Sequence, residues 1–175
     1  FPTRRSSDLV KERRFTEIVG KAIDRANEDE RLVTLGIQPS RPDTGYGYIE
    51  FASDTTVQAG EVMEVVRFCE KPTLEKAQTF LDSGNFYWNS GIFVWRAHSI
   101  LNALEKFQPR LHALFAGNMS HYNTLNEQEK VNRCFEACED ISIDFAVMEH
   151  ATNTDVVLAD FDWSDLGTWG RSEER

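Results

Sequence analysis

Apolar positions recur every three to four residues from Lys11 onward. Phe15, Ile18, Val19, Ala22, Ile23 and Ala26 share one face, and Lys, Arg and Glu fill the other. This predicts an amphipathic helix ending near Asn27. The period then changes. Leu32 to Ile37 is a short apolar run of the kind a buried strand makes. Pro39, Pro42 and Gly45 mark a loop, and Tyr46 to Phe51 reads as a second strand with Gly47 inside it. A glycine there signals a bulge or a close backbone approach. Ser53 to Gly60 is polar and turn-rich. Val62 to Lys71 is strand-like, with Val62, Val66 and Phe68 on one parity and Glu70 continuing it. Thr73 is placed to cap a helix striped with Leu74, Ala77, Phe80 and Leu81.

The stretch Asn85 to Trp95 joins turn chemistry at Ser83, Gly84 and Asn85 to a β-branched and aromatic run, Ile92 to Trp95. Between them sit Asn89, Ser90 and Gly91. Helical stripes follow: Ile100, Leu101, Leu104 and Phe107, then Leu111, Leu114 and Phe115 after Pro109, then Glu127 to Cys138. Ser142 caps a short helix with Asp144 in its first turn, where the dipole favours an acid. Val156 to Phe161 reads as a strand. Helices alternating with short strands predict an α/β class with a mixed sheet.

Four polar positions and one glycine stand out against this pattern, the polar ones at strand ends or turns, where ligands of α/β sheets bind. Glu70 points with apolar neighbours, an expensive place for a lone carboxylate, so it needs donors. A sugar's hydroxyls would serve, and so would an ordinary strand-end ion pair. Lys71 falls on the other parity unless Pro72 breaks the strand, and as a point charge it suits a phosphate. Asn89 is either a buried, satisfied amide or a match for a hydroxyl that both donates and accepts. Gly47 would let a ligand approach the backbone. Asp165, in Asp162-Trp-Ser-Asp-Leu-Gly-Thr-Trp169, is a surface turn acid or an oxygen ligand for a hard cation such as Mg²⁺.

Composition narrows the choice of partner. The 175 residues are 41% hydrophobic and 27% charged, with a net charge of −10. That charge argues against wrapping nucleic acid. It also means that an anionic phosphate must find local cations or a metal. Apolar runs fall short of the ~20 residues of a membrane helix. Cys69, Cys134 and Cys138 form no CxxC, and packing thiols in a reducing, cytoplasmic setting are expected. The histidines are scattered with no nucleophile motif beside them, and there is no Gly-rich triphosphate loop.

Five motifs occur in a familiar order: Thr44-Gly-Tyr-Gly-Tyr-Ile49, Phe68-Cys-Glu-Lys-Pro72, Trp88-Asn-Ser-Gly-Ile-Phe93, Ser142-Ile-Asp-Phe-Ala-Val-Met-Glu149 and Trp163-Ser-Asp-Leu-Gly-Thr-Trp169. Together they resemble the mannose-1-phosphate guanylyltransferases of the nucleotidyltransferase family. The resemblance implies a Rossmann-like nucleotidyltransferase fold, here incomplete, with a mixed sheet flanked by helices. It implies GTP and mannose 1-phosphate as reactants, Mg²⁺ as cofactor, and GDP-mannose and pyrophosphate as products. Carried over, the backbone at Gly47 approaches the sugar, and Glu70 accepts from its hydroxyls. Lys71 meets its phosphate and counts, with Asp165, as catalytic. Asn89 contacts the sugar, and Asp165 is one of two metal-holding aspartates. Asp144 receives only a capping role.

The family's Gly-rich loop with its Arg and Lys has no counterpart here. The expected organisation is a non-family tail at 1–9, a partial nucleotidyltransferase domain at 10–170 and a non-family tail at 171–175. Such a partial sheet is expected to leave an edge unpaired, and a homo-oligomer is compatible with the pattern. Two rivals stay open: an enzyme for another hexose 1-phosphate, and a non-catalytic module that binds sugar phosphate.

Overall fold

The computed structural model of the chain describes residues 6–52, 57–161 and 163. Helix α1 spans Ser6–Glu28, so residues 6–9, expected in a tail, continue the helix. Its buried stripe is narrower than the periodicity suggests. Ile18, Ala22 and Ala26 are buried, while Phe15 and Ile23 are largely exposed.

Five strands follow: β1 (Leu32–Ile37), β2 (Tyr48–Phe51), β3 (Val62–Cys69), β4 (Phe86–Val94) and β5 (Thr154–Ala159). Helix α2 (Leu74–Ser83) joins β3 to β4. Helices α3 (Ala97–Phe107), α4 (Pro109–Ala116) and α5 (Glu127–Ala137) fill the stretch before β5. A short π-helical turn, Asp144–Met148, precedes β5. The class is the expected α/β with a mixed sheet, since β1 and β5 run parallel and the other pairings are antiparallel.

The strand order β1-β4-β2-β3-β5 returns to β1. The unpaired edge expected from the sequence is therefore not found among the described strands: β5 lies between β1 and the first residues of β3. All six residues of β1 and of β5 are buried, because both faces of the sheet are covered. Val33, Leu35, Val157 and Ala159 pack toward α1 and α2 with Ile18, Ala22, Phe80 and Trp88. Leu32, Val156 and Leu158 pack on the other side with Ile49, Phe51, Ala103 and Met148. Burial on two faces explains why these strands read as near-continuous apolar runs rather than alternating ones.

Two bulges set the register. The β2–β3 ladder slips between Glu50 and Phe51, which pair with Arg67 and Val65, leaving Val66 as the extra residue. The parity read from the sequence is wrong for that reason: Val62 and Val66 are exposed, while Val65 and Phe68 face the core. A bulge shifts the phase of everything before it, which periodicity alone cannot detect. Beyond it the expectation holds, and Glu70 follows Phe68 on the inward side. The second bulge lies in β4, where Thr34 pairs with Phe93 but Gly36 already pairs with Asn89. Gly91, at φ +72°, supplies the left-handed turn inside it. Among the described residues no helix is long and apolar enough to cross a membrane.

Candidate functional site

The two ladders bring four of the sequence-selected residues, Gly47, Glu70, Lys71 and Asn89, to one end of the sheet. β2 begins at Tyr48, so Gly47 precedes the strand rather than lying within it. Its carbonyl accepts from the Asn89 N–H at 2.8 Å. A Cβ at Gly47 would overlap Glu70 Oε1 and sit 3.6 Å from the Asn89 Cβ. Of the two readings of Gly47, close approach is the one observed. β3 ends at Cys69, as Pro72 requires, and Lys71 takes a left-handed φ of +39°. This turn makes Lys71 an electrostatic neighbour of both Glu70 and Asp144. Lys71 is exposed and forms no ion pair among the described residues.

Asn89 is half-buried at the β4 bulge, where its side-chain oxygen accepts from Thr34 Oγ1 at 3.1 Å and from the Gly91 N–H at 3.2 Å. Its nitrogen donates to Asp144 Oδ1 at 2.8 Å. Asp144 opens the π-helical turn, whose first N–H groups are met by Ser142: its hydroxyl accepts from Phe145 N at 3.4 Å. The capping role assigned to Asp144 is thus incomplete, because its carboxylate reaches across to the site. Asp144 lies in the Ser142 to Glu149 motif, but no sequence signal marked this contact, since its partner lies 55 residues away. Thr34 did carry one. A polar residue in the apolar run Leu32 to Ile37 must have a partner if buried.

The electrostatics are those of a site with more acid than base. Burial pushes the Glu70 carboxyl up, the nearby Asp144 and Glu149 add to this, and Lys71 opposes it. Asp144 is also raised, mainly by burial, against the pull of its own backbone N–H, Asn89 and Lys71. Glu70 makes no hydrogen bond among the described residues. A half-buried carboxylate without donors can accept from a ligand's hydroxyls. A phosphate would be repelled by the two acids and would settle on the Lys71 side. Asp165 lies outside the described residues. Among the described residues no group of three or more His, Cys, Asp or Glu side chains could hold a metal ion, so the metal expected from the sequence finds no ligand set in this part of the site.

The sequence pattern of the family described as Nucleotidyl transferase matches residues 5–172. The chain belongs to that family. It is 43% identical over 148 residues to a mannose-1-phosphate guanylyltransferase of Sinorhizobium fredii, an alignment covering 82% of this chain and 28% of the relative. It is 41% identical over 166 residues to one from Escherichia coli K12, covering 92% and 34%. The chain thus spans about a third of the length of the curated relatives it matches. Two solved structures share the nucleotidyltransferase-type fold. One, described as a mannose-1-phosphate geranyltransferase from Thermus thermophilus, superposes with a TM-score of 0.77 at 27% identity, covering 90% of this chain and 43% of that one. The other, described as a mannose-6-phosphate isomerase from Helicobacter pylori, gives 0.73 at 34% identity, with coverages of 87% and 59%.

Proposed function

We propose that the whole protein is a mannose-1-phosphate guanylyltransferase and that this chain supplies its sugar-phosphate side. The observation that carries the reading is Glu70. It is an inward-turned carboxylate without donors among the described residues, beside the exposed Lys71, in a chain whose relatives' names share a mannose phosphate. Hydroxyls at one end and a phosphate at the other are what this pair would take. Glu70 and Asn89 bind the sugar over the bare backbone of Gly47, and Lys71 offsets the charge of its phosphate.

In the reaction a phosphate oxygen of mannose 1-phosphate forms a bond to the α-phosphorus of GTP. The bond to the bridging oxygen of the β-phosphate breaks, and pyrophosphate leaves with the electron pair. These residues orient the attacking phosphate and limit repulsion between two anions, which is the larger part of such catalysis. A divalent metal, Mg²⁺ in this reading with Asp165 among its ligands, would neutralise phosphate charge. Three free thiols suit a cytoplasmic protein.

Calorimetric titration of the chain with mannose 1-phosphate tests the proposal. Saturable binding that weakens in both Lys71→Ala and Glu70→Gln is expected. Binding indifferent to both substitutions, or none at all, would remove this edge from the mechanism.

A further inference from the structure

We propose that Asp144 and Thr34 are positioning residues that lock the Asn89 side chain as a hydrogen-bond donor toward the ligand. The inference rests on the sugar-phosphate reading of this edge and deepens it by fixing which polarity each group presents.

An amide has two acceptor sites on oxygen and two hydrogens on nitrogen. At Asn89 the oxygen accepts from the Gly91 N–H, and the Thr34 hydroxyl covers its other side with one proton shared between Asn89 Oδ1 and the Ile92 carbonyl. One hydrogen goes to Asp144 Oδ1. The second has no partner among the described residues. The backbone decides which way the amide faces. The Gly91 N–H can only donate, so the atom opposite it must be the oxygen, and the nitrogen then meets Asp144. A flipped amide would set N–H against N–H. Among the described residues, the group Asn89 has left to offer a ligand is therefore a donor.

The acceptor stands across Gly47. The place a Cβ would occupy there overlaps Glu70 Oε1 and lies 3.6 Å from the Asn89 Cβ, so the carboxylate lies against the bare backbone of Gly47 with the Asn89 side chain starting beside it. A hydroxyl between them donates to Glu70 and accepts from Asn89.

Thr34 acts from behind. It is fully buried, and its hydroxyl faces two acceptors at 3.1 Å, Asn89 Oδ1 and the Ile92 carbonyl. Ile92 lies in the bulge where the β1–β4 ladder skips. The one hydroxyl proton thus ties the bulge and the amide to the same buried point.

Isotope-labelled chain allows the amide to be watched directly. In the ligand-free protein the two Asn89 side-chain protons should differ, with the one bonded to Asp144 exchanging more slowly. Asp144→Ala should abolish that difference, and Asp144→Asn, which keeps an acceptor oxygen, should restore much of it. Thr34→Val should shift both resonances, with a melting curve run to show that the variant is folded. Titration with mannose 1-phosphate should then show about a tenfold loss in Asp144→Ala. Asp144→Asn should fall much less, and affinity for inorganic phosphate should not fall in either variant, because Lys71 is untouched and one repelling acid is gone.

Asn89 protons indifferent to Asp144→Ala and Thr34→Val overturn the proposal. So does undiminished mannose 1-phosphate binding by Asp144→Ala, or an equal loss for inorganic phosphate. If the unaltered chain fails to bind mannose 1-phosphate, the sugar-phosphate reading falls instead. The ligand-free exchange still decides whether the amide is locked.

Discussion

Two inward-turned carboxylates sit near opposite ends of β3 and meet different fates. Asp155 pairs with Glu64 near the start of the strand and is 2% exposed. Its oxygens accept from Arg25 Nε at 2.6 Å and from Arg31 Nε and Nη2 at 2.7 and 2.5 Å. Glu70, just past the end of the strand, stays half-buried and has no donor among the described residues. The first arrangement ties α1 and the α1–β1 connection to β5. The second ties nothing among the described residues, and in the proposed function the donors withheld by the fold are left for a ligand. Completed hydrogen bonding accounts for Asp155 within the fold, whereas the open carboxylate of Glu70 calls for a partner, which the proposed function supplies.

Breaking the completed end should have the largest effect. Asp155→Ala leaves two partly buried guanidinium groups without their carboxylate. It should cost about 3 kcal/mol in urea unfolding, the low end for disrupting a buried ion pair. Mannose 1-phosphate binding by the molecules still folded should stay as it was. A loss of binding without a loss of stability would reverse the comparison.

At the open end, Lys71→Ala should lower affinity for mannose 1-phosphate about tenfold, or about 1.4 kcal/mol, and leave the melting temperature in place. Gly47→Ala should do less. The new methyl overlaps the far end of the flexible Glu70 side chain and makes an ordinary contact with the Asn89 Cβ, so stability should change by no more than about 0.5 kcal/mol. The displaced carboxylate should still weaken sugar binding, and calorimetry on the variant reads both quantities.

The smallest effect carries the clearest sign. Glu70 holds its proton more tightly in the folded chain than in the unfolded one, where its pKa is about 4.3. Stability therefore falls as pH rises from that value through the raised native one, and it remains lowered above. Glu70→Gln removes the penalty. It should raise the melting temperature modestly at pH 7 and not at all below about pH 4, with solvent screening keeping the gain small. A gain that persists in acid would place its cause elsewhere than in the charge.

The sequence made Glu70, Lys71, Asn89 and Gly47 legible because each broke a local rule. These were an acid on an apolar parity, a cation before a proline, an amide before a strand and a glycine where a strand should run. Asp144 broke none, since an acid in a first turn is ordinary. Its second task exists only across 55 residues of chain. The same limit hid the Val66 bulge, whose effect on phase appears only against its partner strand. Asp165 lies outside the described residues, and its assignment rests on the motif around it.

The ring of strands also implies an order of events during folding. β2 pairs with β3 and β4, which lie near it in sequence, whereas β1 and β5 join residues more than a hundred positions apart. Closing so long a loop costs entropy before any pairing offsets it. The antiparallel core of β2, β3 and β4 should assemble first, with Glu70 and Gly47 already in register. Alignment of β5 along β1 is then the late step that seats Asp155 between its two arginines. Pulse-labelled amide exchange would show protection at Ile49 and Phe68 before Leu35 and Val157. The binding edge would be shaped before the opposite end of the sheet is sealed.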